Sequence, residues 1–356
     1  MIAASPPQKK FLNSINYFRG IAIIIIVAAH SYGIANWNVY KNPTLFEQFF
    51  YALNLNGSVF FLFISGFLYN HIFYPRFNYL KFMIKKVKYV LVPYLICSAI
   101  PILYAVFVDS KGGFLLDSLK DKPLQAILWF LATGRAVYAY WYIPMIMLIF
   151  VISPLINILI KSKNLLYAIL GLIPISMIVH RPLHNMNPIH SLVYFIPVYL
   201  LGIYSSIHQK QIYAFLKSNR VKIAIVVLAI ALGLIQVLIF NVNGNFSKDF
   251  WSITIPDINL LQKILLCFLL MSLLDNYEDT DITAMKKTAE TSFAIYFIHP
   301  FLLKPLTLFI RSLELGFQGN LFTLIIATFL VVIIAMAIAY ILKFLLKGNS
   351  RYIIGW

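Results

Sequence analysis

Apolar residues occur along this chain in long blocks, with polar and charged residues gathered in short stretches between them. A helix needs about 20 mostly apolar residues to cross the hydrocarbon core of a bilayer. By that measure the blocks predict ten spans, at 17–36, 47–70, 88–108, 141–160, 164–180, 190–207, 221–241, 258–274, 291–310 and 320–346. An eleventh apolar stretch, Leu124–Ala132, is too short to cross and stops at Thr133-Gly134-Arg135, so it is expected to be a re-entrant or interfacial helix between the third and fourth spans. The first block is followed by His30 and Asn36-Trp37-Asn38, not by a small-residue cleavage site, so the first span is expected to stay attached. No repeat, low-complexity linker or soluble domain of useful size interrupts the pattern. The expected fold is an all-α polytopic membrane protein, residues 1–356 forming one transmembrane domain.

Composition supports the same solvent. The 356 residues are 61% apolar and 12% charged, with a mean hydropathy of +0.83, where a soluble protein carries about 25% charged residues. That excludes a disordered protein, a secreted disulfide scaffold and an ordinary soluble enzyme. The net charge of +17 would suggest nucleic acid in a soluble chain. Here it reads as the positive-inside rule, and no nucleic-acid partner is expected. With loops assigned alternately to two sides, nineteen of the 29 Lys and Arg fall on the side of the N-terminus. If that side is cytoplasmic, both termini are inside and the number of spans is even. The longest hydrophilic loops are Asp109–Tyr140 and the shorter Phe246–Asp257 outside, and Asp275–Glu290 inside. Cys97 and Cys267 lie within apolar blocks as small core residues. With no disulfide framework or zinc spacing, no metal is expected.

Ionisable groups inside spans cost several kcal/mol unless paired or hydrated, which makes them functional candidates. The Asp and Glu residues fall in loops or at span ends, which disfavours a proton-coupled transporter. Lys263 and Lys304 lie close enough to outer span ends to snorkel. Arg19 and His30 share the first span. Eleven residues turn about 1100°, roughly 20° past three full turns, and rise about 16 Å, so both side chains are expected to look into the same cavity at different depths. Each taken alone is also explained blandly, Arg19 as a snorkelling anchor and His30 as a hydrogen-bonded bundle residue. His299 precedes Pro300, which loosens the helix by removing a backbone donor; a kink with a satisfied histidine and a second polar group in a cavity both fit. Gly57, Ser58, Ser65 and Gly66 are small enough to be packing positions. The basic amphipathic lead Lys81–Tyr89 suits anionic lipid, or the phosphates of a cytosolic ligand. No Walker motif, Gly-rich phosphate loop, His-Glu-x-x-His or Gly-x-Ser-x-Gly is present, so nucleotide hydrolysis and ordinary hydrolase chemistry are unsupported.

Five short patterns, in order, resemble the acyltransferase-3 family of multi-pass membrane enzymes. Asn16-Tyr17-Phe18-Arg19-Gly20-Ile21-Ala22 followed by His30 is similar to its opening signature. Phe61–Phe67 resembles a Phe-Phe-x-x-Ser-Gly-Phe/Tyr segment, with Leu62 in place of the second Phe. Lys85-Lys86-Val87-Lys88 ahead of Pro93-Tyr94 resembles an Arg-x-x-Arg stretch. Trp141-Tyr142-Ile143-Pro144 and Ser292–Pro300 are similar to two later elements. Lysines stand where the family has arginines in the third piece, so bidentate phosphate recognition is lost there. No extracellular hydrolase-like domain of the kind some members carry is seen.

The resemblance implies a ten-span acyltransferase of the bacterial inner membrane that moves an acyl group, usually acetyl, from cytosolic acyl-CoA to a carbohydrate hydroxyl. It implies acetyl-CoA as donor substrate with no tightly bound cofactor. The expected partners are the lipid bilayer, the carbohydrate acceptor, and glycan-assembly machinery or a second copy of the chain. On that reading Arg19, Lys85 and Lys88 draw the donor's phosphates to the inner mouth, and His30 is the general base, with Arg19 counted among the catalytic residues. Ser65, Trp141, Tyr142 and His299 would contact substrate. An exporter or flippase of a glycan or lipid-linked sugar is the alternative, since it also needs a polar cavity and aromatic residues.

Overall fold

The computed structural model describes residues 12–41, 43–108, 116–314 and 318–356. Its helices are α1 (Asn13–His30), α2 (Leu45–Asn54), α3 (Ser58–Leu68), α4 (Tyr79–Lys86), α5 (Val92–Phe107), α6 (Pro123–Thr133), α7 (Tyr142–Val151) and α8 (Ser153–Lys161). They continue with α9 (Leu165–Val179), α10 (Pro188–Ile207), α11 (Gln209–Leu216), α12 (Asn219–Leu234), α13 (Ile258–Asp275), α14 (Thr283–Ser312), α15 (Leu321–Leu346) and α16 (Ser350–Ile353). Two-residue strands β1 (Arg181–Pro182) and β2 (Ser247–Lys248) pair in parallel.

Among the described residues, eight helical segments are long and apolar enough to cross a membrane: Asn13–His30, Leu45–Arg76, Tyr79–Phe107, Pro188–Ile207, Asn219–Ile239, Ile258–Asp275, Thr283–Ser312 and Leu321–Ile353. A ninth is the pair α7–α8, bent by 53°. Pro154 lacks the amide that would continue the hydrogen-bond ladder, so the single span expected over 141–160 breaks beside it. The expected span at 164–180 is α9, only 15 residues, or about 22 Å of helix. α6 matches the short helix expected at 124–132.

Contacts between connections mark the two ends of the bundle. At one end the Asn13 and Ser14 amides donate to the Glu278 carboxylate at 3.2 and 2.8 Å, and Ser272 Oγ donates to the Leu216 carbonyl at 3.0 Å. At the other, the Gly319 amide donates to the Asn36 carbonyl at 2.9 Å and Thr323 Oγ to that of Ala35 at 3.1 Å. There too the Asp257 amide bonds the Met177 carbonyl at 2.8 Å, beside the β1–β2 pair. Among the described residues the eight long segments and the bent α7–α8 pair, with the shorter α9 beside them, run alternately between the ends, and the start of α1 lies at the end where α15 finishes.

Two departures from the expected spans shape the interior. α1 stops at His30, and residues 31–36 form turns, where a span to 36 was expected. The expected helix over 47–70 breaks after Asn54, with Asn56 at φ 60°. Lys263 was expected to snorkel; instead it is fully buried and repairs this break. Its Nζ donates to the freed carbonyls of Ala52 (3.1 Å) and Leu53 (2.5 Å) and to Gln262 Oε1 (3.1 Å), while Asn259 Nδ2 donates to the Ala52 carbonyl at 3.1 Å. A buried ammonium is tolerable only with such a set of acceptors. Lys304 is exposed.

α3 and α10 cross at glycines. A Cβ on Gly66 would collide with the Tyr199 carbonyl oxygen, and one on Gly202 with that of Phe63. Small residues at such a crossing let two backbones touch. Gly66→Ala is expected to destabilise the fold by about 1–3 kcal/mol, the usual cost of overpacking. Thermal unfolding in detergent checks this against Gly171→Ala, whose Cβ would meet nothing within 4 Å, and which should unfold as the wild type does.

Candidate active site

At the end of the bundle that holds the start of α1, a cavity of about 640 Å³ opens among α1, α3, α7, α14 and the segment after α15. Its size falls in the range of ligand clefts, about 300–1,000 Å³. Arg19 lines it from α1, its Nη2 donating to Asn16 Oδ1 at 3.0 Å, while its Nε is buried with no hydrogen-bond partner among the described residues. Ser65, Tyr142 and Glu290 also line it, and the Tyr142 hydroxyl is within hydrogen-bonding reach of Ser65.

Of the lysines leading into the third segment, Lys86 lines this cavity and the expected Lys85 and Lys88 do not. Lys86 Nζ sits 4.5, 5.1 and 4.3 Å from the ring centroids of Phe73, Phe82 and Phe150, a cation–π cage that fixes it in the wall. Lys85 and Lys88 are exposed and outside the cavity; Lys85 instead borders a separate groove with Arg76 and Lys81. One residue turns a helix by about 100°, so Lys85 and Lys88, three apart, point together and away from Lys86. A π-helical turn over Val87–Leu91 follows, and inserts an extra residue per turn ahead of α5.

His30 lies deeper, in a small chamber of about 40 Å³ that Ser58, Phe61, Trp141, Tyr142, Phe293 and Tyr296 help to line. Phe61, Tyr142 and Phe293 border this chamber and the larger cavity alike, so the two spaces meet at a three-ring partition. Arg19 and His30 were expected to look into one cavity; instead each lines one of two adjoining spaces. His30 stacks on His299 at 5.7 Å between centroids and meets Tyr138 edge-on at 4.8 Å. His299 is fully buried behind it and lines neither space. Its Nδ1 donates to the Ile295 carbonyl at 3.0 Å, since a carbonyl only accepts, and Nε2 has no partner among the described residues. α14 continues unbroken through Pro300.

The segment between α6 and α7 is clamped onto α14. Gly134 ends α6 at φ 71°, the Tyr140 hydroxyl donates to the Phe297 carbonyl at 2.6 Å, and the Tyr296 hydroxyl donates to that of Ala139 at 2.7 Å. This brings Tyr138, Trp141 and Tyr142 to the chamber from the loop expected over Asp109–Tyr140 and its margin; residues 109–115 of that loop lie outside the described residues.

Arg181 is the residue sequence reasoning missed. Buried, it lies over the Trp141 ring at 5.0 Å and donates to Asn56 Oδ1 (3.2 Å) and Asn185 Oδ1 (3.0 Å). Asn56 Nδ2 in turn donates to the Tyr194 hydroxyl at 3.0 Å, and that hydroxyl to Asp257 Oδ2 at 2.7 Å. The network backs Trp141 and holds the break in the second segment, next to Ser58 of the chamber. Its members come from separate blocks; the only trace in the sequence is the polar cluster Asp257, Asn259, Gln262 and Lys263 at the start of an otherwise apolar block.

Residues 12–342 match the acyltransferase-3 family, described as an acyltransferase domain. No curated protein and no solved structure matches the chain.

Proposed function

The chain belongs to the acyltransferase-3 family, a membrane acyltransferase, and from that premise we propose that it moves an acyl group, acetyl first of all, from cytosolic acyl-CoA to a hydroxyl of a cell-surface or exported carbohydrate. The observation that carries the reading is the adjoining pair of spaces, a cation-walled cavity at one end of the bundle and the His30 chamber beyond its ring partition. The donor's phosphates are polyanionic and suit Arg19 and Lys86. Its thioester arm reaches the partition, and the acceptor hydroxyl approaches from the chamber side. His30 takes the hydroxyl proton as the oxygen attacks the thioester carbonyl. The tetrahedral centre then collapses, the C–S bond breaks, and the sulfur leaves as thiolate and is protonated, giving ester and free CoA. Ser65 and Tyr142, which line the cavity beside the partition, would donate to the developing oxyanion. The cation-rich cavity end faces the cytoplasm of a bacterial inner membrane, in keeping with the positive-inside rule.

Titrating CoA against purified protein separates this reading from glycan export. Binding stabilises the folded state by RT ln(1 + [L]/Kd), about 2.7 kcal/mol at 100 Kd. The enzyme is expected to show a saturable rise in unfolding temperature with CoA; an exporter would show none.

A further inference from the structure

The family match ends at residue 342, and the chain from Lys343 onward forms part of the wall of the large cavity. α15 stops where Lys347 takes φ 49°, and the chain folds back through a turn into α16. The returning segment is pinned. Ser350 Oγ donates to the carbonyls of Lys347 (2.9 Å) and Trp356 (2.6 Å), Cys97 Sγ lies 3.3 Å from the Ile353 carbonyl oxygen, and Ile354 is buried. Gly355, at φ 76°, packs so closely on Phe293 of the partition that a Cβ would collide with its ring.

Three exposed cations of this segment, Lys343, Lys347 and Arg351, line the cavity together with Arg19 and Lys86. Two of them are held in place by rings: Lys343 Nζ sits 3.6 Å over Trp356, and the Arg351 guanidinium sits 4.0 Å over Tyr89. Stacking spends rotamer freedom in advance, so less is lost when an anion arrives. Topology alone requires cations at this end of the bundle; it does not require them folded back against aromatic rings inside a cavity wall.

We propose that residues 343–356 form an anion clasp that binds the phosphorylated nucleotide end of the acyl donor, with Lys347 and Arg351 as its main phosphate contacts. This rests on the large cavity being the donor's site. The clasp takes the bulky anionic end at the mouth, and the thioester arm passes inward toward the partition.

The test is calorimetric titration of CoA into the full chain in phosphatidylcholine nanodiscs, comparing Lys347→Ala/Arg351→Ala with Lys85→Ala/Lys88→Ala. Each pair removes two positive charges from the same end of the bundle, but only the first takes them from the cavity. The tail pair is expected to raise Kd at least about tenfold and the other pair less than about twofold, by the usual worth of charge-assisted phosphate contacts. Arg351→Gln, which removes the charge but keeps a planar polar group on a shorter stem, guards against misfolding and should raise Kd about threefold or more. Equal weakening by both pairs, or none by the tail pair, overturns the clasp. Adding phosphatidylglycerol to the discs should leave wild-type Kd within about twofold; if it abolishes CoA binding instead, the tail is a lipid headgroup site and the clasp falls. Failure of the wild type to bind CoA at all sinks the donor reading itself, an outcome distinct from wild-type binding that the tail pair leaves untouched.

Discussion

Replacing His30 by alanine is expected to slow acyl transfer by about 10²–10⁴-fold, the range over which a positioned acid–base group contributes to a proton transfer. The same change should leave CoA affinity within about twofold, because His30 lies beyond the partition and touches none of the cations of the larger cavity. The chamber's small volume also means that removing the imidazole enlarges it appreciably. His30→Gln controls for that, filling much of the space while carrying no group that accepts a proton at neutral pH; it should be as slow as the alanine variant. His299 is fully buried behind His30 and lines neither space, so it is not expected to take over the proton from an acceptor in the chamber. Initial rates of ester formation from labelled acyl-CoA in proteoliposomes, set beside CoA titrations of the same preparations, separate loss of the base from loss of the site.

Arg19→Ala should fail for the opposite reason. Arg19 lines the large cavity and its buried Nε has no partner among the described residues, so on the proposed reading a donor phosphate is the group that would complete it. A charge-assisted hydrogen bond is worth about 1.5–3 kcal/mol, or roughly 10- to 150-fold in affinity. The loss should appear as weaker CoA binding and a raised KM for acyl-CoA. Arg19→Lys keeps the charge but loses the planar fork, and should fall between wild type and alanine. Glu290, the acidic residue lining the same cavity, would then face the phosphates with less compensating charge, adding to the loss in the alanine variant.

The sequence carried the architecture further than it carried the site. The membrane segments were legible because a bilayer demands long apolar blocks, eight or nine of the ten expected being long enough to cross among the described residues, and the different depths of Arg19 and His30 followed from helical rise. What failed was whatever depended on how a helix ends. α1 stops at His30 although apolar residues continue through Ile34, Ala35 and Trp37, because these are buried in turns and not in a helix. Lys85 and Lys88 matched the spacing of a motif, but Lys86 faces the cavity. Lys263 sat at a depth from which a lysine can reach water, and no pattern along the chain shows that the freed carbonyls of Ala52 and Leu53 wait for it. Arg181 lies in a connection, and its importance to Trp141 exists only once α7 and α10 are packed together.

The placement of chemistry at His30 is tested most directly by the O-acetyl content of envelope polysaccharide. Proton NMR of that material would compare cells carrying the wild-type chain with cells carrying His30→Ala at equal membrane abundance. The account predicts O-acetyl signals with the wild type and their loss with the variant; normal acetylation in the His30→Ala cells would contradict it.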